Sequence, residues 1–182
     1  MDLNTIEVKN KKHFLDKFLE HARNTSLEVR KKYMDEIQKM ISDPKWEKRY
    51  FGFDLFKNII YSVRKEYNDK ELINILIKGL SDTDGRVRNN AYYSSGKFFG
   101  LDSYEDPEPY VSGFFTLYEK FKKQNNQKIK KTFARAIREY NCPVLYDLME
   151  ARECFEDYCQ ALDEVDEFLG IEDEFEFIFY TK

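Results

Sequence analysis

The chain is predicted to be all-α and to form an α-solenoid, in which antiparallel helical hairpins stack side by side into a superhelix. Three observations carry this prediction. Apolar residues recur at helical spacing along most of the 182 residues, and Gly and Pro number only 7 and 4. In addition, one hairpin pattern repeats with a period of about 40 residues, which is typical of stacked helix pairs.

The first half of the chain is predicted to hold five amphipathic helices, because their apolar residues fall on one face at intervals of three and four. Thr25 and Ser26 offer an N-cap to the second helix. Pro44 suits the first turn of the third helix, where the missing amide proton costs nothing. The predicted helices lie near 13–24, 27–41, 44–67, 71–80 and 86–100.

The second half continues the helical pattern after a proline-containing break at 101–110. A further hairpin is predicted from two helices, 108–124 and 127–140, and an acidic helical stretch follows from Pro143 to 162. Because the apolar period persists to that point, the sequence predicts one solenoid domain over residues 1–162.

Residues 163–182 are predicted to be a separate acidic and aromatic tail. The last dozen residues alternate Glu and Phe, as in Glu174 to Phe177, which is a strand pattern. Two arrangements are open for this segment: it lies on the solenoid, or it pairs with the sheet edge of a partner.

An internal repeat organises the chain. An acidic or amide residue is followed by a cation six positions later and a small residue three positions beyond that. The small residue lets neighbouring helices approach closely, and a turn carboxylate is favoured beside the free amides of a helix start. The three copies are Asp43, Arg49, Gly52; Asp82, Arg88, Ala91; and Asn125, Lys131, Ala134.

The copy with Leu76 to Leu80, Asp82, Val87-Arg88 and Ala91 resembles a HEAT repeat, and the resemblance extends over residues 26–140. It implies a HEAT/armadillo-like fold with a structural ladder, in which turn acids and second-helix cations join neighbouring hairpins. The other two copies have Lys48 and Lys130 where the central copy has Val87. The ladder residues that the resemblance implies are Asp43, Arg49, Asp82, Arg88, Asn125 and Lys131.

Charge is distributed unevenly along the chain. Residues 1–140 carry 28 Lys and Arg against 21 Asp and Glu, whereas residues 141–182 carry 2 against 13. This asymmetry is consistent either with a phosphate-binding surface or with two solvated faces of opposite sign. The residues predicted to bind a partner protein or nucleic acid are Lys48, Tyr92, Lys128, Lys130, Arg135 and Arg138.

No catalytic, cofactor-binding or metal-binding residue is predicted. The sequence lacks a phosphate-binding Gly loop and the GxSxG and HExxH motifs, and its 3 Cys suit neither a disulfide framework nor a paired zinc motif. The sequence therefore predicts a non-enzymatic scaffold or adaptor that binds another protein. Without an apolar signal core or a membrane-length apolar run, it is expected in the cytoplasm.

An alternative is a nucleic-acid-binding protein related to DNA alkylation repair. Trp46-Glu47-Lys48-Arg49 at the start of a helix resembles the HEAT-like DNA-alkylation-repair glycosylase family. That resemblance implies duplex DNA bound on the concave face, and no catalytic residue carries over from it. It makes glycosylase activity an alternative to the scaffold function.

Overall fold

The structure is a computed structural model that describes residues 11–63, 69–99, 108–139 and 143–171. Within these ranges the regular structure is α-helix only, which confirms the all-α prediction. The chain divides into two compact units, unit 1 at 1–104 and unit 2 at 105–182. The boundary between the units lies within the proline-containing break at 101–110.

Unit 1 contains α1 (Lys11–Arg23), α2 (Leu27–Ile41), α3 (Trp46–Val63), α4 (Asp69–Leu80) and α5 (Gly85–Phe99). Helix α2 packs against α3, and α4 packs against α5, so the repeated pattern corresponds to two helical hairpins. The second helices, α3 and α5, also pack against each other, and α1 packs on α3. Unit 1 is therefore built around α3.

Small residues set the closest approaches in unit 1. A Cβ at Gly79 on α4 would collide with the ring of Phe53 and the methyl group of Ala91. A Cβ at Gly52 on α3 would lie 2.9 Å from Cγ1 of Ile41 on α2. These contacts explain why each hairpin requires a small side chain where its two helices meet.

Unit 2 contains α6 (Glu108–Lys123), α7 (Gln127–Glu139), α8 (Pro143–Ala151) and α9 (Phe155–Leu169). Helices α6 and α7 form a hairpin, α9 packs against α7, and α8 packs against α6 and α9. Aromatic contacts form part of its core: the ring centroids of Phe114 and Tyr158 lie 4.7 Å apart, and those of Phe121 and Phe168 lie 5.3 Å apart.

The predicted tail begins inside a helix. Residues 163–169 belong to α9, which ends at Gly170, where a φ of 67° places the backbone in the left-handed region favoured by glycine. The strand pattern beyond Ile171 falls in 172–182, which lie outside the described residues. Among the helices described, none has the length and apolar character to cross a membrane.

Candidate functional site

The turns that open α3 and α5 have the same hydrogen-bond pattern. Asp43 Oδ1 accepts from the Lys45 amide at 2.8 Å, and Asp82 Oδ1 accepts from the Asp84 amide at 2.8 Å. An Asp side chain that accepts from the amide two residues on forms an Asx-turn and satisfies a free donor at the helix start. The amide of Lys45 is the main cause of the lowered pKa of Asp43.

Arg49 joins the two hairpins of unit 1. Its Nε donates to Asp82 Oδ2 at 2.6 Å, and its Nη2 donates to Asp82 Oδ1 at 2.9 Å. The two side chains are only 15% and 10% exposed, so this bidentate ion pair is shielded from water. Hydrogen bonding to Asp82 raises the pKa of Arg49.

Arg88 occupies the equivalent position at the next turn. Its Nη1 donates to the carbonyl oxygens of Asp82 and Thr83 at 2.8 and 2.9 Å. Arg49 Nη1 donates in the same way to the carbonyl oxygens of Asp43 and Pro44, at 3.0 and 2.8 Å. Arg88, however, forms no ion pair with any described carboxylate.

The third predicted rung has a different geometry. In the turn before α7, Asn126 rather than Asn125 caps the helix, because Asn126 Oδ1 accepts from the amides of Lys128 and Ile129 at 3.0 and 3.3 Å. Asn125 and Lys131 are both exposed, and within the described ranges no hydrogen bond or ion pair joins them. The ungapped repeat comparison predicted Asn125 as the turn residue, which is one position before the capping residue Asn126.

Most of the predicted binding cations have partners within the protein. Lys48 Nζ lies 3.2 Å from Asp43 Oδ2. Lys130 Nζ lies over the rings of Phe121 and Phe168, at 4.6 and 5.2 Å from their centroids. Arg138 Nε lies 2.9 Å from Asp166 Oδ1 in a mostly buried pair. Lys130 and Arg138 therefore join α7 to neighbouring helices, whereas the Lys48 pair is local and more exposed.

The two other predicted binding cations, Lys128 and Arg135, lie on an exposed face of α7. Lys128 and Arg135 are exposed, and so is Lys131, which the resemblance placed in the ladder. Their spacing of three and four residues puts them on one helix face. This face is the densest exposed group of cations on α7.

Tyr92 and Tyr93 are next to each other on α5, with ring centroids 5.2 Å apart. Tyr92, the predicted binding residue, is half-buried, whereas Tyr93 is 57% exposed. Arg86 and Asn89 are also exposed and fall on the same helix face as Tyr93, at spacings of seven and four. The more accessible of the two tyrosines is therefore Tyr93.

Trp46 has a structural contact. The guanidinium of Arg86 on α5 stacks over the indole of Trp46 on α3, 3.3 Å from the ring centroid. Arg86 Nη2 also donates to Asp84 Oδ2 at 2.7 Å, and this hydrogen bond holds the pKa of Asp84 well below its usual range. The indole therefore links neighbouring hairpins by a cation–π contact.

A buried polar cluster between α3 and α5 was missed at the sequence level. Asp54 and Asn90 are each 3% exposed, and Asn90 Nδ2 donates to Asp54 Oδ1 at 2.9 Å and to the Tyr50 carbonyl at 2.8 Å. Lys57 Nζ lies 2.7 Å from Asp54 Oδ1 and 3.2 Å from Asn90 Oδ1. The sequence signal for this cluster is that Asp54 and Asn90 each stand among the apolar, core-facing residues of their helices.

Two open grooves lie on unit 1. One, of about 470 Å³ between α2 and α4, is lined in part by Asp35 and Glu71, and Lys78 donates to Ser42 Oγ at 2.6 Å at its edge. The other, of about 550 Å³, includes His21, whose Nδ1 lies 3.0 Å from the hydroxyl of Tyr33. In the part of the chain that the structure describes, no group of three His, Cys, Asp or Glu side chains is arranged to hold a metal ion.

Comparisons with protein-family models, curated proteins and solved structures find no match.

Proposed function

We propose that the chain is a HEAT-like α-solenoid repeat protein that acts as a non-enzymatic scaffold or adaptor for another protein, in the cytoplasm. The repeat geometry of unit 1 supports the architecture. Two hairpins, related by a shift of 39 residues, place an arginine Nη1 on the same pair of turn carbonyls. A repeated packing unit of this kind offers a surface without catalytic chemistry.

The exposed ring of Tyr93 is the observation that carries the binding function. At 57% exposure it is the most accessible large apolar side chain among the described residues. Tyrosine is enriched at the energetic centres of protein interfaces, since it combines a large apolar ring with a hydroxyl group. The face that Tyr93 shares with Arg86 and Asn89 is therefore the proposed contact surface for a partner protein.

Site-specific photocrosslinking tests this surface. A photoreactive phenylalanine analogue at Tyr93 is expected to capture a discrete protein in cells, whereas the same analogue at Phe155, which is 36% exposed, serves as the matched control. Tyr93→Ala is expected to weaken binding of the purified partner at least tenfold, because loss of an interface anchor costs about 2 kcal/mol or more. Equal capture at both positions, or none at Tyr93, contradicts the proposed function.

The exposed face of α7 supports nucleic-acid binding as a second candidate function. Lys128, Lys131 and Arg135 are exposed on consecutive turns of one helix face. Exposed cations grouped in this way can neutralise phosphates of a nucleic-acid backbone. In this second candidate function, the chain is a nucleic-acid-binding protein related to the DNA-alkylation-repair proteins. No catalytic residue is assigned to it.

Fluorescence anisotropy with a labelled duplex and a labelled single strand tests the second candidate. Binding is expected to weaken steeply with salt. The triple variant Lys128→Glu, Lys131→Glu, Arg135→Glu is expected to reduce the slope of log K against log salt concentration by about one for each lost phosphate contact. The control variant changes the same charge elsewhere, at Lys32, Lys39 and Lys45. Undetectable binding at low salt, or equal losses in both variants, eliminates this candidate.

A further inference from the structure

The Arg49 ion pair shows how the second helix of one hairpin, α3, contacts the following hairpin in unit 1. We use this contact as a template for the equivalent side of α5. Arg49 Nη1 donates to carbonyl oxygens of its own turn, and this contact directs the Nε and Nη2 edge of the guanidinium away from that turn, toward the following hairpin. The outward edge binds both carboxylate oxygens of Asp82, which lies in the turn of the following hairpin. One guanidinium edge thus recognises one turn carboxylate.

Arg88 has the same contacts with turn carbonyl oxygens as Arg49, but it has no equivalent of the contact with a carboxylate. Its Nη1 is held by the carbonyl oxygens of Asp82 and Thr83, as Arg49 is held by Asp43 and Pro44. Its Nε and Nη2 donate to no described residue, although the side chain is half-buried. A half-buried guanidinium whose donors are fixed in a fork is already organised for a carboxylate.

A second pair of equivalent positions, Phe53 on α3 and Tyr92 on α5, lies on the same side of these helices. Phe53 lies one helical turn beyond Arg49, and its ring packs against Gly79 of the following hairpin. The same shift of 39 residues places Tyr92 one turn beyond Arg88. Phe53 is fully buried, whereas Tyr92 is half-buried.

We propose that the Arg88 flank of α5 is the docking site for a helical hairpin of a partner protein, with Arg88 binding a carboxylate in the turn of that hairpin. The occupant is inferred from the α3–α5 interface, in which a helical hairpin with a turn aspartate occupies the equivalent flank of α3. This inference rests on the proposed scaffold function and specifies the chemistry of the partner. It makes Arg88 a specificity-determining contact.

NMR of the arginine side chains in the full chain tests whether the Arg88 fork is open. The Nε–H proton of Arg49 is expected to exchange with water at least tenfold more slowly than that of Arg88, because only Arg49 is in a shielded ion pair. Sodium acetate, as the carboxylate probe, is expected to shift the Arg88 Nε–H resonance, whereas sodium chloride at the same ionic strength is not. The variant Arg88→Lys assigns the resonance by its disappearance.

The partner captured at Tyr93 provides the second measurement. Arg88→Ala is expected to weaken its binding about tenfold, and Arg88→Lys is expected to restore only part of that loss, since an ammonium cannot form the planar two-bond contact. Arg88→Asp combined with Lys in place of the partner's turn carboxylate is expected to recover affinity. The control variant is Arg152→Ala, which removes an exposed arginine from unit 2.

The outcomes separate the inference from the function on which it rests. Slow exchange at Arg88 in the free chain, or no response to acetate, overturns the inference even where Tyr93 captures a partner. Unchanged partner affinity in Arg88→Ala overturns it as well. If Arg88 responds to acetate and no position captures a protein, the scaffold function fails and the docking inference fails with it.

Discussion

The two units of this chain differ in how regularly their helix contacts repeat. Unit 1 joins its hairpins through shielded polar contacts, Arg49 with Asp82 and Asn90 with Asp54, in addition to its apolar core. Unit 2 packs the rings of Phe114 and Tyr158 against each other and joins α7 to α9 by the ion pair of Arg138 with Asp166. The Asx-turn and the arginine contact with turn carbonyls recur in both hairpins of unit 1, whereas Asn126 caps the helix at the turn before α7. The regular repeat therefore belongs to unit 1.

The largest expected effect comes from removing an aromatic ring of unit 2. Phe114→Ala is expected to lower the free energy of unfolding of unit 2 by about 3 to 5 kcal/mol, since the side chain is fully buried and its loss leaves a cavity. Urea unfolding followed by residue-resolved NMR separates the two units. Phe155→Ala, at a 36% exposed position, is the control and is expected to have a small effect. Equal destabilisation of both units would contradict the contrast between them.

A smaller loss is expected when the polar contact of unit 1 is broken. Arg49→Ala leaves the carboxylate of Asp82 shielded without its cation, and we expect a cost of about 2 to 4 kcal/mol in urea unfolding. Arg88→Ala removes the same contacts with turn carbonyls and no carboxylate pair, so it is the matched control, with an expected cost of about 1 kcal/mol. Similar costs for the two variants would show that the carboxylate contributes little.

The close approach within unit 1 predicts a third effect. Gly79→Ala is expected to destabilise unit 1 by about 1 to 3 kcal/mol, because its new methyl group would collide with Phe53 and Ala91. Gly96→Ala on α5 is the control, since a Cβ there meets nothing within 4 Å and a helical alanine is favoured over glycine. Thermal unfolding is expected to shift down for the first variant and stay level or rise for the second.

The smallest effect concerns pH. Arg86 lowers the pKa of Asp84 in the folded state, so this carboxylate contributes stability above its unfolded pKa of about 3.9 and loses that contribution as the pH falls below it. Asp84→Asn is expected to reduce the fall of the melting temperature between pH 6 and pH 3. In unit 2, Lys123 lowers the pKa of Glu119 in the same direction, and Glu119→Gln provides the comparison. An unchanged acid profile in Asp84→Asn would show that this pair does not affect stability.

The helices were predictable because each depends on local pattern. The start of α3 beyond Pro44 and the turn before α5 follow from Pro, Asp and Gly chemistry within a few residues. The boundary between the two units falls in the proline-containing break at 101–110, although the continued apolar period predicted one domain across it. The helical identity of residues 163–169 was also missed, because the acidic composition of that stretch hid its apolar face.

The candidate site shows the same limit at the level of single side chains. Sequence alone determined the amphipathic helices, the repeat and the identity of its cations, because these properties are encoded within one helical turn or one period. Only the tertiary structure decided which cations are available: Lys130 lies between two aromatic rings and Arg138 pairs with Asp166, whereas Lys128 is exposed. The physical reason is that each partner comes from a different helix. The same reason distinguishes Arg49, which pairs with the Asp82 carboxylate of the following hairpin, from Arg88, which donates to carbonyl oxygens of its own turn.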